Sequence, residues 1–342
     1  MDDLLTSRPA DRDALLASYR EALGHTNALT DRISTDQFSA FYPERPEWAI
    51  GPFARNDALT FRLEGQWDDP TGIGWTSDSI FNPTLIERGD ELHLFYRASP
   101  RKESTASRIG HAVRRDGAWH DSPANPILYP TFANETLGCE DPKVYALDDG
   151  YVLFYNGIWR REDGSVAVDI LHAVSDDLEH WDKRGLVVPY EVSEYWAKGA
   201  VLPRDEHGRA VRVGDDYLMF LSEGCGGRPT IGRSRDGLDW RFEVQPYLDL
   251  GPLGGSLFEV ACAAVTDDHL VLDFFYADAD GDFAAAQALY RLDEPFTQLE
   301  LNRGGSLSWG GLQKIGGRWS FAQGWDAPAG TRELYFYQEV DA

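Results

Sequence analysis

Five short segments of this 342-residue chain place polar or charged side chains at the openings of otherwise apolar strand patterns. They are Phe81-Asn82-Pro83, Cys139-Glu140-Asp141-Pro142-Lys143, Trp196-Ala197-Lys198-Gly199-Ala200, Leu257-Phe258-Glu259-Val260 and Ser308-Trp309-Gly310-Gly311. A charge in such a place is costly unless it serves a ligand or another charge. Asn82, the Glu140-Asp141 pair, Lys198 and Glu259 are the parts of an acid–base site: proton donors, proton acceptors and a cation. They can act together only if the fold brings five distant segments to one place.

A repeat supplies that fold. A turn followed by a strongly β strand recurs at Glu91–Arg97, Tyr151–Asn156, Tyr217–Leu221, His269–Tyr276 and Arg318–Phe321. The preceding turns, such as Asp148-Asp149-Gly150 and Gly214-Asp215-Asp216, are hairpin signals. Asp-to-Trp turns close three units at Trp119, Trp181 and Trp240, roughly 60 residues apart. Five units of about four strands predict an all-β, five-bladed β-propeller, because blades around an axis bury each other's faces. A β-sandwich does not explain the period. The repeated Trp are expected between blades, and the repeated His111 and His172 are expected in packing, with no metal site. Ahead of the repeat, Leu15, Leu16, Tyr19, Ala22 and Leu23 have helical spacing and Gly24 stops the run. A second, weaker helix is expected over 31–40. The division is a helical arm over 1–48 and a propeller over 49–342, the arm packing on the propeller or on a neighbouring subunit as a homo-oligomer contact.

In a propeller the blade-opening strands line the axis, so the five segments converge. Phe81-Asn82-Pro83, then Leu94-Phe95-Tyr96-Arg97-Ala98, then Gly138-Cys139-Glu140-Asp141-Pro142-Lys143 resembles glycoside hydrolase family 130 in motif, order and spacing. The resemblance covers roughly 75–335. It implies an inverting enzyme acting on β-mannosides, with Asp141 as general acid. Asn82, Arg97, Glu140 and Asp326 would bind the sugar, and Arg184 and Lys198 would hold phosphate in a phosphorylase. Glu140 and burial are expected to raise the Asp141 pKa.

A hydrolase must activate water with a carboxylate, whereas a phosphorylase needs a cationic cradle for phosphate. Where the family's phosphorylases carry a His-Arg pair, this chain reads Leu221-Ser222-Glu223-Gly224. Glu223 would repel phosphate, and Glu223 or Glu259 would serve as the base. The reading falls narrowly to hydrolysis. The alternatives are a β-mannoside phosphorylase releasing mannose 1-phosphate, a furanosidase, and a non-catalytic sugar-binding propeller. A furanosidase needs an acidic residue where Asn82 stands.

Composition excludes other classes. The formal net charge of −25 repels nucleic acid and anionic membrane. The three cysteines are expected as buried free thiols. No cofactor is indicated beyond inorganic phosphate as a co-substrate in the phosphorylase reading; the partner is an oligosaccharide. No secretory signal opens the chain, so a cytoplasmic location is expected. Only five of the 32 basic residues are lysines. Such a surface resembles that of proteins from salt-loving cells; a GC-rich genome is the other source of an arginine bias.

Overall fold

Blade 1 is the antiparallel set Ser79–Arg88, Glu91–Ser99, Arg108–Arg115 and Ala118–Asp121. Its inner strand is buried along nearly its whole length, and its outermost strand alternates between exposed and half-buried. That gradient is what a sheet sandwiched between two others requires. Blade 2 repeats the order with Gly138–Leu147, Gly150–Arg160, Val166–Ser175 and Asp182–Leu186. Blade 3 pairs Tyr217–Leu221, Thr230–Ser234 and Arg241–Val244, with the short strand Ala197–Lys198 on the axial side pairing Glu223–Gly224. Blade 4 is Ser256–Thr266, His269–Ala277, Phe283–Arg291 and Glu300–Arg303, with Pro203–Arg204 added in parallel to its inner strand. Blade 5 is Gln313–Ile315, Arg318–Gln323 and Glu333–Glu339, and its outer strand is Phe53–Arg55 from the start of the propeller. This last pairing joins the two ends of the ring.

The computed structural model describes residues 9, 12–24, 44–67, 72, 74–306 and 308–341; the helix expected over 31–40 lies outside them. The repeated tryptophans sit between blades. Trp181 meets Phe95 of blade 1 edge-on at 5.6 Å, Trp240 meets Phe154 of blade 2 at 6.1 Å, and Trp119 meets Phe336 of blade 5 at 5.7 Å. His111 stacks on Phe95 inside blade 1, and His172 lies 3.2 Å from the Gly185 carbonyl in blade 2. The three cysteines are buried and free.

Helix α1 (Arg12–Gly24) packs on blades 1 and 2 of its own propeller. Ala22 is buried against Leu137, Ile158 and Val168, and the Thr105 hydroxyl donates to the Ala22 carbonyl at 3.2 Å. Glu21 pairs with Arg160.

Candidate active site

The inner strands of blades 1 and 2 share one local device. The strand register slips between Phe81 and Thr84, and again between Glu140 and Lys143. At each slip the residue before proline is left-handed, Asn82 with φ 47° and Asp141 with φ 49°. Asn and Asp tolerate that conformation better than other non-glycine residues. The proline that follows has no N–H to withdraw from the ladder. A bulge re-aims its side chain, and here both turn to the axis, where the Asn82 amide donates to Asp141 Oδ1 at 2.6 Å. A third slip, between Leu257 and Glu259, sets the course of the blade 4 strand that carries Glu259. Lys198 of blade 3 precedes Gly199, at φ 75°, where a Cβ would lie 2.4 Å from Ser222 Oγ.

These devices surround an axial cavity of about 210 Å³. Its charged lining is two cations, Arg97 and Lys198, against four carboxylates, Glu140, Asp141, Glu223 and Glu259. Arg97 is fully buried and pairs with Glu140 at 2.5 Å and with Asp141 at 3.3 Å. It also donates to Ser107 Oγ at 2.8 Å and to the Ser104 carbonyl at 3.1 Å. Lys198 Nζ lies 3.3 Å from Asp141 and 3.8 Å from Glu140. Glu259 lies 3.2 Å from Lys143, which is also anchored on the Trp309 carbonyl. Glu223 accepts from the Trp196 indole at 3.1 Å.

The carboxylates differ in charge state. Burial pushes Asp141 up, but Lys198, Arg97 and the Asn82 amide together outweigh it and hold the carboxyl well below the usual range. This corrects the expectation that burial and Glu140 raise it: the cations come from other blades and win. Burial, with Asp141 and Glu223 adding to it, pushes Glu259 up to about 7 against the pull of Lys143 and Lys198. Burial also raises Glu140, partly offset by Arg97 and Lys198. Lys198 is disfavoured by burial, yet Asp141, Glu223 and Glu140 raise its pKa and keep it charged.

Asn82, Arg97, Glu140, Asp141, Lys198, Glu223 and Glu259 therefore all meet at the cavity. Two expected residues do not. Arg184 stands on the outermost strand of blade 2, more than half exposed, paired with Asp182 at 3.1 Å. Asp326 is turned from the cavity and accepts from the Tyr337 hydroxyl, while its neighbour Trp325 forms the wall. The aromatic lining, Trp196, Phe258, Trp309 and Trp325, is what sequence reasoning missed. Its signal was present, since each of these residues occupies or adjoins a segment singled out for its charged or polar neighbour. Trp325 donates its indole N–H to Asn82, linking blade 5 to blades 1 and 2 through the same amide that holds Asp141.

Aromatic faces beside carboxylates and an amide suit a pyranose ring, which offers an apolar face and a rim of hydroxyls. Known proteins agree with this architecture. The chain is 31% identical over 125 residues to a beta-1,2-mannobiose phosphorylase of Thermoanaerobacter sp. strain X514, a match covering 33% of this chain and 41% of that protein. A putative glycoside hydrolase of Parabacteroides distasonis superposes with a TM-score of 0.68 at 21% identity, over 86% of this chain and 98% of the other. A second structure superposes with a TM-score of 0.65 at 20% identity, over 86% of this chain and 95% of the other; it comes from work on family 130 hydrolases that target β-1,2 mannosidic linkages in Candida mannan. The family profile described as beta-1,4-mannooligosaccharide phosphorylase matches residues 68–250, more than half of the sequence, and the chain belongs to glycoside hydrolase family 130.

Proposed function

We propose that this protein cleaves β-mannosides with inversion and uses water as the nucleophile. The carrying observation is the charge of the axial lining, two cations against four carboxylates. Both cations already face carboxylates, Arg97 at Glu140 and Asp141, and Lys198 at the same pair. A phosphate dianion would enter beside Glu223 and Glu259 with Arg184 far outside the cavity. Water needs no such cradle; it needs a base, and a base poised near neutrality is the most effective one. Glu259, with its carboxyl pushed up to about 7, fits that role.

In this reading Glu259 takes a proton from water as the water oxygen bonds to the anomeric carbon. The glycosidic bond breaks, and Asp141 gives its proton to the departing oxygen. Asp141 is ionised in the empty site. Burial is the largest influence on it and acts upward; the cations reverse it. A sugar that displaces Lys198 from its 3.3 Å contact with Asp141 would remove the largest lowering influence, and Asp141 would then take up from solvent the proton it donates. Asn82 and Arg97 hold Asp141 in place, and the tryptophans pack on the ring.

Phosphorolysis is the second reading, favoured by the names of the family profile and of the Thermoanaerobacter relative. Incubation with β-1,2-mannobiose, with and without inorganic phosphate, separates the two. Free mannose at equal rates in both supports hydrolysis. Mannose 1-phosphate formed only with phosphate overturns it.

A further inference from the structure

The two donors on Asp141 Oδ1, Arg97 and the Asn82 amide, lead back to one loop outside the cavity. Arg101-Lys102-Glu103-Ser104 follows the second strand of blade 1, which ends at Ser99. The loop is closed on itself. The Ser104 N–H donates to the Arg101 carbonyl at 3.0 Å, and the Ser99 hydroxyl bonds to that same carbonyl and lies 2.7 Å from the Ser104 hydroxyl. One arm of the loop runs through Ser104, whose carbonyl accepts from Arg97 at 3.1 Å and from the Ser107 hydroxyl at 3.0 Å. Ser107 accepts from Arg97 as well, at 2.8 Å, and Arg97 then reaches Asp141 Oδ1 at 3.3 Å.

The other arm is Lys102, which crosses from blade 1 to blade 5. Its ammonium donates to the Trp325 carbonyl at 2.8 Å and to the Ala327 carbonyl at 2.6 Å. Both carbonyls belong to the turn after the strand Arg318–Gln323, and the Ala327 N–H closes that turn on the Gly324 carbonyl at 3.2 Å. The turn lies hard against blade 1: a Cβ at Gly324 would come within 2.1 Å of the Ile80 carbonyl oxygen. From this turn the Trp325 indole donates to Asn82, and Asn82 donates to Asp141 Oδ1 at 2.6 Å. The two arms therefore end on the same oxygen. With both acceptor positions of Oδ1 engaged, the oxygen left to carry a transferable proton is Oδ2, which faces Lys198 at 3.3 Å.

We propose that Lys102 is a positioning residue for the general acid: it fixes the turn that aims the Trp325 indole at Asn82, and through Asn82 it holds Asp141 with Oδ2 free to donate. This rests on the reading of Asp141 as the acid, which hydrolysis and phosphorolysis share. Lys102 touches neither the cavity lining nor a carboxylate in the site; it acts on main-chain oxygens of a neighbouring blade. A small displacement of the acid from its reacting atom costs rate steeply, so a tether of this kind affects the proton-transfer step more than it affects binding.

The test compares Lys102→Met with the wild type on two substrates, β-1,2-mannobiose and a dinitrophenyl β-mannoside whose leaving group departs without a proton. Lys102→Met is expected to lower kcat on mannobiose about tenfold and on the dinitrophenyl substrate by less than about twofold, with melting curves confirming that it folds. Trp325→Phe keeps the ring and loses the N–H, and should show the same split. Adding Lys102→Met to Trp325→Phe should cost less than about a further twofold, because both act through one hydrogen bond. Equal slowing of both substrates by Lys102→Met, or losses that simply multiply in the double variant, overturns the proposal. If the wild type cleaves neither substrate, the proposed function falls and the indole proton of Trp325 decides the positioning. Its NMR signal, identified by its loss in Trp325→Phe, should exchange with solvent at least about tenfold faster in Lys102→Met; an unchanged exchange rate overturns the tether.

Discussion

On the side of blades 1 and 2, Asp141 meets Lys198, Arg97 and the Asn82 amide; across the cavity, Glu259 of blade 4 meets Lys143. Both carboxyls are buried, so burial acts on them alike. They end in opposite states because the number of facing donors differs. Three donors overcome the cost of burying a charge at Asp141, and the cations near Glu259 do not. A difference in local donor count thus separates two chemically similar groups into an ionised one and one that titrates near neutrality; for Asp141 to act as the acid, bound substrate must reverse the first of these states, because a general acid needs a raised pKa.

The largest effects should come from removing either member. Asp141→Asn and Glu259→Gln are each expected to lower kcat by about 10³-fold, within the range for lost acid–base catalysis. The two should part on an activated substrate: a dinitrophenyl β-mannoside, whose leaving group needs no proton, should restore Asp141→Asn and leave Glu259→Gln slow. Steady-state rates on both substrates check this.

Stability should divide the walls again, in opposite directions. The Asp141 pKa lies below its unfolded value, so its contribution is present above that value and is lost as pH falls through the folded one. Asp141→Asn removes it and leaves Arg97 and Lys198 with Glu140 as their one remaining paired carboxylate, a loss of about 3 kcal/mol at neutral pH. The Glu259 pKa lies above its unfolded value, so the folded state loses stability as pH rises from the ordinary carboxylate range through about 7. Glu259→Gln escapes that loss, with an expected gain of roughly 1–3 kcal/mol at pH 8 that closes toward pH 5. Denaturant unfolding of both variants across pH reads the two signs.

Smaller effects mark what lies outside both walls. Arg184→Ala is expected to change kcat/KM by less than about twofold, because the side chain is solvated on the blade edge. Added salt should raise the melting temperature by several degrees, since it screens a formal net charge of −25. All five lysines are tied into specific contacts: Lys102 on the Trp325 and Ala327 carbonyls, and Lys143, Lys183, Lys198 and Lys314 on carboxylates. The rest of the positive charge belongs to arginine.

Sequence pattern reached the parts of the molecule that repeat. Trp119, Trp181 and Trp240 are regular because each fills the same gap between blades. Asn82 and Asp141 were legible because each is a polar residue at the opening of an apolar strand and sits in a family motif; the bulge each makes before its proline emerged only with the strand register. Arg184 was misplaced because the resemblance that suggested it fixes order along the chain and says nothing of radius; its strand is the fourth and outermost of blade 2. Asp326 was misread by one position: both residues lie in the turn after the strand ending at Gln323, where Trp325 lines the cavity and Asp326 meets Tyr337. The charge of Asp141 was beyond any local pattern. It is decided by Lys198, which is 57 residues away in sequence and belongs to another blade.

Chemical rescue tests the division of labour between the two walls most directly. Glu259→Ala, given a β-mannoside and sodium azide, should regain turnover and release α-mannosyl azide, the small anion replacing the water that the missing carboxylate would have activated. Azide rescue of Asp141→Ala instead, with Glu259→Ala left unaffected, would contradict the assignment.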